Sequence, residues 1–381
     1  MRVVFTPHAY APALGGAEHH ARRLAEGLAR VGDEVHAVVP NVSDAEAFFE
    51  WGHDRGGLPE EVLGGVTVHR IPYLPGRWSI ADRLGDDASQ LRRARRRYSR
   101  HLEATLETLV ADVVVTLPHA FPNVQETMRL RRGAPWKMVY APLLHEEDPY
   151  WAVPPIAAAV AVADGVIALT EHERDRLISR YGADPEWTIV LPPGVDLPAE
   201  EPPAQRDPLV LFLGRRAASK RLDVLHAAMQ LVWRSAPEAR LVVAGPPPAR
   251  GEDPAAAMAD DPRIEIVDRV DSVERDRLIG SARVVTSASV VEAFGITTLE
   301  AWAHATPVVV ADTPVRRSVV RQGTDGIIAA PDAAGMAEGI LSVLTDAERG
   351  RRMGHAGRER VAAEFQWDQI VGELREFLSR L

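Results

Sequence analysis

Residues 209–233 have the sequence LVLFLGRRAASKRLDVLHAAMQLVW, and this stretch indicates the fold class most clearly. Its leading apolar residues, Leu209 to Leu213, predict a strand that is buried on both faces. From Leu222 to Trp233 the apolar residues recur three and four positions apart, which predicts a helix. A buried strand, a short polar loop and a helix form the repeating unit of a doubly wound parallel α/β sheet.

The same alternation of strands and helices continues through the whole chain. In the first half a helix is predicted at 17–31, and apolar runs predict strands at 3–5, 35–39, 66–71, 113–115, 138–140, 165–169 and 188–191. In the second half further strands are predicted at 241–244, 264–267, 284–286 and 308–310. The proline-rich acidic stretch 198–204 separates the halves. We therefore expect two α/β domains of comparable size joined near residue 200.

Composition and charge narrow the classes of function. The 381 residues include 54 acidic and 44 basic side chains, and the resulting net charge of −10 disfavours a general nucleic-acid binder. The chain contains no cysteine, which excludes disulfides, thiolate nucleophiles and cysteine-ligated metals. No apolar run approaches about 20 residues and the first residues do not resemble a signal peptide, so we expect a cytoplasmic protein.

Two loops have the composition of anion-binding sites. Gly15 and Gly16 lie between the first strand and the first helix, where glycine lets the backbone approach a ligand and helix-start amides favour a diphosphate. Arg215 and Lys220 follow the carboxyl end of a strand, which is the edge that borders the ligand crevice in such sheets. Taken separately, each loop is also compatible with an ordinary turn or with solvated surface charge.

A pair of carboxylates, Glu292 and Glu300, suits the binding of a sugar nucleotide. If Thr297 begins a helix, Glu300 lies in its first turn and Glu292 in the preceding loop, so both can face one crevice. One carboxylate would hold sugar hydroxyls and the other a ribose. The spacing alone is common, and the motifs become specific only in combination.

In combination and in this order, the motifs resemble those of the retaining glycosyltransferases of the GT-B fold, glycosyltransferase family 4. The resemblance implies two Rossmann-like doubly wound domains facing a central crevice. It implies an acceptor-side domain at 1–198, a nucleotide-sugar-binding domain at 199–362 and a terminal helix at 363–381 that packs back on the first domain. The matching segments are Gly15-Gly16, Pro193-Gly194-Val195-Asp196, Gly214-Arg215 with Lys220, Glu292 to Glu300, residues 303–308, and Phe365-Gln366-Trp367-Asp368.

The resemblance also implies a role for each matching residue. Arg215 and Lys220 would clamp the nucleotide diphosphate. Glu292 would hold hydroxyls of the donor sugar, and His119 would contact the same sugar, so these four residues form the expected catalytic set. Glu300 would bind the ribose. The other expected donor-binding residues are Gly15 and Gly16 at the phosphate turn, Arg269 and Val270 at the nucleobase, and Phe294, Gly295, Ile296 and Thr297 beside the sugar.

The activity implied by this resemblance is retaining, metal-independent transfer of a hexose from a nucleotide-diphosphate sugar. UDP or GDP is the expected nucleotide, and the acceptor is a hydroxyl group of a small molecule, natural product, lipid or glycan. No cofactor beyond the donor and no metal site is expected, in agreement with the lack of a strict Asp-x-Asp motif. An alternative is a non-catalytic nucleotide-sugar-binding protein of the same fold.

Departures from the family pattern leave the donor sugar and the loop geometry open. Pro314, Val315 and Ser318 stand where the family often has two glycines and a glutamate, so the donor sugar and the loop geometry are not defined. A double displacement with Glu292 as the nucleophile is the other mechanism that the sequence allows.

The acceptor is less well defined than the donor. His145, Glu146 and Glu147 follow a predicted strand and are the candidate acceptor residues; the carboxylates would suit an amine-bearing acceptor or form a solvated loop. The arginine-rich segment 91–109 predicts a helix with a solvated basic face, a membrane-surface patch or a dock for an anionic acceptor. His19 and His20 are expected on the surface of the first helix, close enough to the Gly15-Gly16 turn to contact a ligand. The sequence does not indicate an oligomeric state.

Overall fold

The computed structural model describes residues 1–12, 15–41, 60–71, 101–119, 121–145, 156–200, 203, 205–248 and 252–381. They form two compact units, of which the first combines Met1–Pro193 with Trp367–Leu381 and the second is Gly194–Gln366. The chain therefore leaves the first unit once and returns to it for the final helix.

The first unit contains an eight-stranded sheet. Its strands are β1 (Arg2–Pro7), β2 (Glu34–Pro40), β3 (Glu61–Leu63), β4 (Val66–Ile71), β5 (Val113–Leu117), β6 (Lys137–Tyr140), β7 (Gly165–Ala168) and β8 (Thr188–Val190). They lie in the order β3-β4-β2-β1-β5-β6-β7-β8, and all pairs are parallel except β3 with β4. Val3, Val4 and Phe5 in β1 have no exposed surface, as expected for a strand covered on both faces. The helices of this part are α1 (Gly16–Arg30), α2 (residues 101–109), α3 (Pro122–Arg131), α4 (Ile156–Val160) and α5 (Glu171–Tyr181).

The second unit contains a six-stranded parallel sheet. Its strands are β9 (Leu209–Leu213), β10 (Arg240–Ala244), β11 (Ile264–Val267), β12 (Val284–Ser287), β13 (Val308–Ala311) and β14 (Gly326–Ala329). They lie in the order β11-β10-β9-β12-β13-β14. Its helices are α6 (Leu222–Val232), α7 (Ser272–Ser281), α8 (Thr297–Ala303), α9 (Pro314–Val319), α10 (Ala333–Leu344) and α11 (Ala347–Glu364). One hydrophobic core includes Phe212, Leu225 and Met229, so the strand and helix that decided the fold class pack on each other.

The terminal helix, α12 (Trp367–Arg380), packs against α1 in the first unit. Gly27 allows this close approach, because a Cβ at that position would overlap the side chain of Val371. Arg375 donates a hydrogen bond to Asp33 at 2.8 Å and adds a charged contact at the end of the interface. The return of the last helix to the first unit is thus a property of the fold.

The two units are divided at slightly different residues from those predicted. The boundaries lie after Pro193 and after Gln366, rather than after 198 and 362. The backbone N–H of Val195 donates to the carbonyl of Phe365 at 2.9 Å, and Arg358 donates to the carbonyl of Pro198 at 3.1 Å. These bonds tie Val195 and Pro198, the first residue of the predicted linker, to later residues of the second unit.

Among the described residues, no helix has the length and apolar character needed to cross a membrane.

Candidate functional site

The switch point of the second sheet lies between β9 and β12. The chain runs outward from β9 through β10 to β11, and in the opposite direction from β12 through β13 to β14. In open α/β sheets the ligand crevice forms beside such a point, at the carboxyl ends of the strands. The loops that leave β9 and β12, residues 214–221 and 288–296, therefore border the candidate site.

An ion pair joins these two loops. Nζ of Lys220 donates a hydrogen bond to Oε1 of Glu292 at 2.6 Å. The two side chains are 25% and 13% exposed, so the pair is partly shielded and still accessible from solvent. The hydroxyl of Ser289 donates to the carbonyl of Ser219 at 3.2 Å and ties the same loops together. The structure thus brings a predicted phosphate-binding cation and a predicted sugar-binding carboxylate into contact.

The two arginines that follow β9 have different environments. Arg216 is buried, and its guanidinium donates to Asp253 at 2.7 Å and to the carbonyl of Gly245 at 2.7 Å. It also lies 2.8 Å from Asp268, so it ties together the carboxyl ends of three neighbouring strands. Arg215 is exposed at the surface of the loop. Arg216 is therefore structural, and Arg215 is the cation that a ligand can reach.

A second cation lies next to Glu292. Arg316 on α9 has no exposed surface, and its Nη2 lies 3.8 Å from Oε1 of Glu292. The guanidinium donates to Oγ1 of Thr298 at 2.9 Å and to the carbonyl of Phe294 at 3.3 Å. Burial lowers the pKa of Arg316, and the Glu292 carboxylate opposes this shift. Glu292 is therefore placed between two cations, Lys220 and Arg316.

The segment predicted to lie beside the donor sugar surrounds the Arg316 guanidinium. Gly295 has a φ of +86°, in the left-handed region that favours glycine. A Cβ on Gly295 would also overlap the guanidinium, so no larger residue fits. Phe294 is buried and packs edge-on against Phe365, with ring centroids 6.3 Å apart. Because the Phe294 side chain belongs to the core, a ligand contact at this position would come from its backbone.

The second carboxylate lies in the first turn of α8, which confirms the predicted helix start. The helix begins at Thr297, directly after Ile296, and Glu300 is one turn further on. Nη1 of Arg275 on α7 donates to Oε1 of Glu300 at 3.2 Å, and the Glu300 side chain is 15% exposed. Burial raises the pKa of Glu300, whereas the charge of Arg275 lowers it.

The residues predicted to meet the nucleobase follow β11. Arg269 is exposed and Val270 is half-buried. Asp271, the next residue, caps α7 by accepting a hydrogen bond from a backbone N–H at 2.8 Å. These residues follow a strand of the same parallel sheet, at the edge where the loops of Lys220 and Glu292 also lie.

The first sheet has its own switch point, between β1 and β5. Gly15 immediately precedes α1, and Gly16 is its first residue. A Cβ on Gly15 would overlap the Glu18 carboxylate, whereas a Cβ on Gly16 would meet no atom of the described residues within 4 Å. Nε2 of His8, at the end of β1, lies 3.0 Å from Oε1 of Glu18. A side chain at position 15 would therefore displace the Glu18 carboxylate that lies beside His8, and the space beside Gly16 leaves room for a ligand.

His119 lies at the carboxyl end of β5 and is completely buried. Its Nδ1 is 2.5 Å from the hydroxyl oxygen of Tyr140, and its backbone N–H donates to the carbonyl of Pro142 at 2.9 Å. Burial raises the pKa of Tyr140 well above its ordinary value, so the phenol stays protonated and can either donate to Nδ1 or accept from it. When the phenol donates to Nδ1, the ring proton of His119 lies on Nε2.

The predicted acceptor residues are only partly described. His145 is half-buried in the segment that follows β6, whereas Glu146, Glu147 and the arginine-rich residues 91–100 lie outside the described residues. His20 is buried, contrary to the prediction that it lies on the surface. Because α12 covers this face of α1, the imidazole ring lies 6.1 Å from the ring of Trp367. Burial lowers the pKa of His20 to about 3.

Sequence reasoning missed three residues that contact the predicted site residues. Each comes from a different element than its partner and is too far from it in the sequence for a local pattern to reveal the contact. The pairs are Arg316 with Glu292, Arg275 with Glu300, and Tyr140 with His119. Arg316 lies between Val315 and Ser318, where the sequence departs from the family pattern. That departure was the one feature of the sequence that could have drawn attention to Arg316.

Comparison with protein families identifies the chain over most of its length. The profile described as Glycosyltransferase Family 4 matches residues 14–199, and the profile described as Glycosyl transferases group 1 matches residues 196–360. Alpha-maltose-1-phosphate synthase of Mycolicibacterium smegmatis is 28% identical over 100% of both chains. D-inositol 3-phosphate glycosyltransferase of Segniliparus rotundus is 35% identical over 56% of this chain, and this match spans 52% of that relative.

Solved structures share the fold. Sucrose-phosphate synthase of Thermosynechococcus elongatus superposes with a TM-score of 0.80 and 20% identity, and the match covers 100% of this chain and 98% of the other. Alr3699/HepE of Anabaena, solved in complex with UDP-glucose, gives a TM-score of 0.74 and 17% identity over 100% of both chains. These similarities establish the architecture of two parallel-sheet units.

Proposed function

Because the chain belongs to glycosyltransferase family 4 and has the GT-B fold, we propose that it transfers a hexose, with retention, from a nucleotide-diphosphate sugar to a hydroxyl group. The observation that carries this proposal is the contact of Lys220 with Glu292, 2.6 Å across the switch point of the second sheet. In this proposal Gly194–Gln366 is the nucleotide-sugar unit, and the first unit serves the acceptor.

The chain's own cations would stabilise the leaving group. As the bond between the anomeric carbon and the phosphate oxygen breaks, the electron pair stays on the oxygen and negative charge appears on the β-phosphate. Lys220 and Arg215 are the groups proposed to stabilise that charge, which is the kind of contribution that dominates many enzymatic rate enhancements. The remaining donor contacts are proposed for Glu300, Arg269 and Val270 at the nucleoside.

Retention is proposed to follow from attack on the leaving-group face. The acceptor oxygen would bond to the anomeric carbon and its proton would pass to the departing phosphate oxygen. Glu292 is a poor candidate for a nucleophile, because Lys220 at 2.6 Å and Arg316 at 3.8 Å stabilise the negative charge on its carboxylate. Its proposed role is to accept hydrogen bonds from sugar hydroxyls. NMR of the first product formed from a donor of defined anomeric configuration tests this, and an inverted product would exclude the proposal.

His119 completes the proposed catalytic set. In this proposal the Tyr140 phenol donates to Nδ1 of His119, and His119 donates from Nε2 to a hydroxyl of the donor sugar. Replacing Tyr140 by phenylalanine would remove the hydrogen bond that holds this tautomer. If His119 acts in this way, the variant should lose kcat while its affinity for the nucleoside diphosphate stays unchanged.

The proposed donor is UDP-glucose or another UDP-hexose, with GDP as the second nucleotide. The complex of Alr3699/HepE with UDP-glucose supports the first choice. The names of the two relatives both contain a phosphorylated sugar or cyclitol, which favours a small phosphorylated polyol as the acceptor. Glucose 1-phosphate and D-inositol 3-phosphate are therefore the first acceptors to test, with the product followed by mass spectrometry.

One experiment separates this function from a non-catalytic nucleotide-sugar-binding protein of the same fold. Release of nucleoside diphosphate that requires both donor and acceptor identifies a transferase, whereas saturable donor binding without product in any acceptor reaction identifies the binding protein. The same assay in excess EDTA tests metal independence. Because Arg215 and Lys220 are proposed to supply the positive charge, turnover should be unchanged after chelation.

A further inference from the structure

The buried guanidinium of Arg316 requires an explanation beyond packing. A buried charge is strongly unfavourable unless it is paired and hydrogen-bonded. Arg316 has no exposed surface, and its hydrogen bonds go to the neutral acceptors Thr298, Phe294 and Ser287. The carboxylate that offsets its charge is Glu292, at 3.8 Å. The two residues are therefore coupled electrostatically without sharing a short hydrogen bond.

The same oxygen of Glu292 also accepts from Lys220. Oε1 lies 2.6 Å from Nζ of Lys220 and 3.8 Å from Nη2 of Arg316. Lys220 is 25% exposed on a flexible side chain, whereas Arg316 is fixed in the core. A lysine ammonium is a mobile point charge, and an arginine guanidinium is a rigid group. One cation beside Glu292 can therefore move towards a ligand, and the other cannot.

Binding of a diphosphate would make the two cations unequal in role. The diphosphate and the Glu292 carboxylate repel each other, and both attract Lys220. If Lys220 were the sole counter-ion of Glu292, its movement to the phosphate would leave that carboxylate uncompensated in a partly buried position, which is unfavourable. The fixed charge of Arg316 removes this conflict.

We propose that Arg316 is the permanent counter-ion of Glu292 and thereby releases Lys220 to bind the donor diphosphate. Arg316 is a positioning residue: it acts through Glu292 and Lys220 and does not touch the substrate. This inference rests on the proposed function, because it assumes that a nucleoside diphosphate binds beside Lys220.

The test is a double-mutant cycle on nucleotide binding. UDP, GDP and ADP are titrated calorimetrically into the wild-type chain, and the diphosphate that binds most tightly is then used with Arg316→Met, Glu292→Gln and the double variant. We expect Arg316→Met to weaken binding by about ten- to a hundredfold, the range for losing a charged interaction. Glu292→Gln alone should bind the diphosphate at least as tightly as wild type.

The double variant distinguishes the charge role from a structural one. With Gln at 292 there is no carboxylate to hold Lys220, so Arg316→Met should cause no further loss in that background. A merely structural contribution of Arg316 would produce the same loss in both backgrounds, and this additive result would overturn the inference. Arg316→Lys, which keeps the charge, should restore most of the affinity.

A folding control and two binding results separate a failure of the proposed function from a failure of the role assigned to Arg316. Thermal unfolding checks that each variant folds, and Arg316→Gln replaces Arg316→Met in the cycle if the methionine variant does not fold. A wild-type chain that binds none of the three diphosphates would overturn the proposed function itself. Binding by wild type with equal affinity in Arg316→Met would overturn only the role assigned to Arg316.

Discussion

Replacing Lys220 by methionine is the most informative single change in the proposed donor site. Nζ of Lys220 lies 2.6 Å from the Glu292 carboxylate, and its side chain is 25% exposed. Methionine keeps an unbranched apolar side chain and removes the charge. In the proposed mechanism this charge stabilises the β-phosphate as its bond to the sugar breaks, so the variant tests that step directly.

The expected losses of activity and stability differ in size. We expect kcat to fall by about 10²–10³, equivalent to about 2.7–4 kcal/mol of transition-state stabilisation. The free energy of unfolding should change by less than about 1 kcal/mol, because the ion pair is partly exposed. Arg316, 3.8 Å from the same carboxylate oxygen, still compensates Glu292 after the substitution. Loss of turnover in a normally stable protein is therefore the expected signature.

The sequence provides a matched control, because Lys137 is its other lysine. Lys137 lies on β6 in the first unit, 3.3 Å from Asp164. Wild type, Lys137→Met and Lys220→Met are compared for release of UDP from UDP-glucose, with and without glucose 1-phosphate, and for thermal unfolding. Lys137→Met should keep the wild-type kcat.

Two results would refute this reasoning. Wild-type turnover by a folded Lys220→Met variant would mean that Lys220 does not stabilise the leaving group. Equal losses of activity in both lysine variants would indicate a general effect on folding rather than a role for one ammonium group.

Three other changes test the electrostatics of the fold and the site. Glu300→Gln should weaken binding of the nucleoside diphosphate about tenfold. Because burial raises the pKa of Glu300, the affinity of the wild-type chain should begin to fall at a higher pH than it would with an ordinary carboxylate. The affinity of the variant should stay level over the same pH range, and calorimetric titrations measure both. Arg216→Met should lower the free energy of unfolding by about 2–3 kcal/mol in urea titrations, since it removes buried bonds to Asp253 and Gly245. For His20, the folded pKa of about 3 lies below the unfolded value, so the unfolded state binds the extra proton and stability is lost as the pH falls below about 6.5. The loss should reach about 2 kcal/mol at pH 5 relative to pH 8. His20→Leu should remove this part of the pH dependence of unfolding, and an unchanged pH profile would contradict the assigned burial.

The fold was predictable where strands are buried on both faces. Continuous apolar runs such as Leu209–Leu213 can be recognised as buried strands from the sequence alone, and the strands predicted from them are confirmed. Two strands were missed for physical reasons. β3 (Glu61–Leu63) is a short edge strand with partly exposed side chains, and β14 (Gly326–Ala329) contains four residues and begins with glycine. Neither has the length or alternation that a sequence pattern needs.

The site was predictable as far as strand ends determine it. Lys220 was expected at the ligand crevice because it follows the carboxyl end of a strand, and the family resemblance assigned Glu292 to the same donor. The structure puts the two side chains in contact. The charged residues that pair with the site carboxylates were not predictable, because contacts such as that of Arg275 with Glu300 join different helices, 25 residues apart in the sequence. His20 was misplaced for the same reason, since the α12 helix that buries it begins near the other end of the chain.

The most direct test of the proposed nucleotide-sugar site is a thermal-shift panel of UDP, GDP, ADP and dTDP with the wild-type chain, Lys137→Met and Lys220→Met. A ligand present at 100 times its Kd stabilises the folded state by about 2.7 kcal/mol, which a shift in Tm reports clearly. We expect one diphosphate to raise the Tm of wild type and Lys137→Met, and Lys220→Met to lose most of this shift. No shift with any of the four, or a shift that is identical in Lys220→Met, would contradict a nucleotide-sugar site beside Lys220 and Glu292.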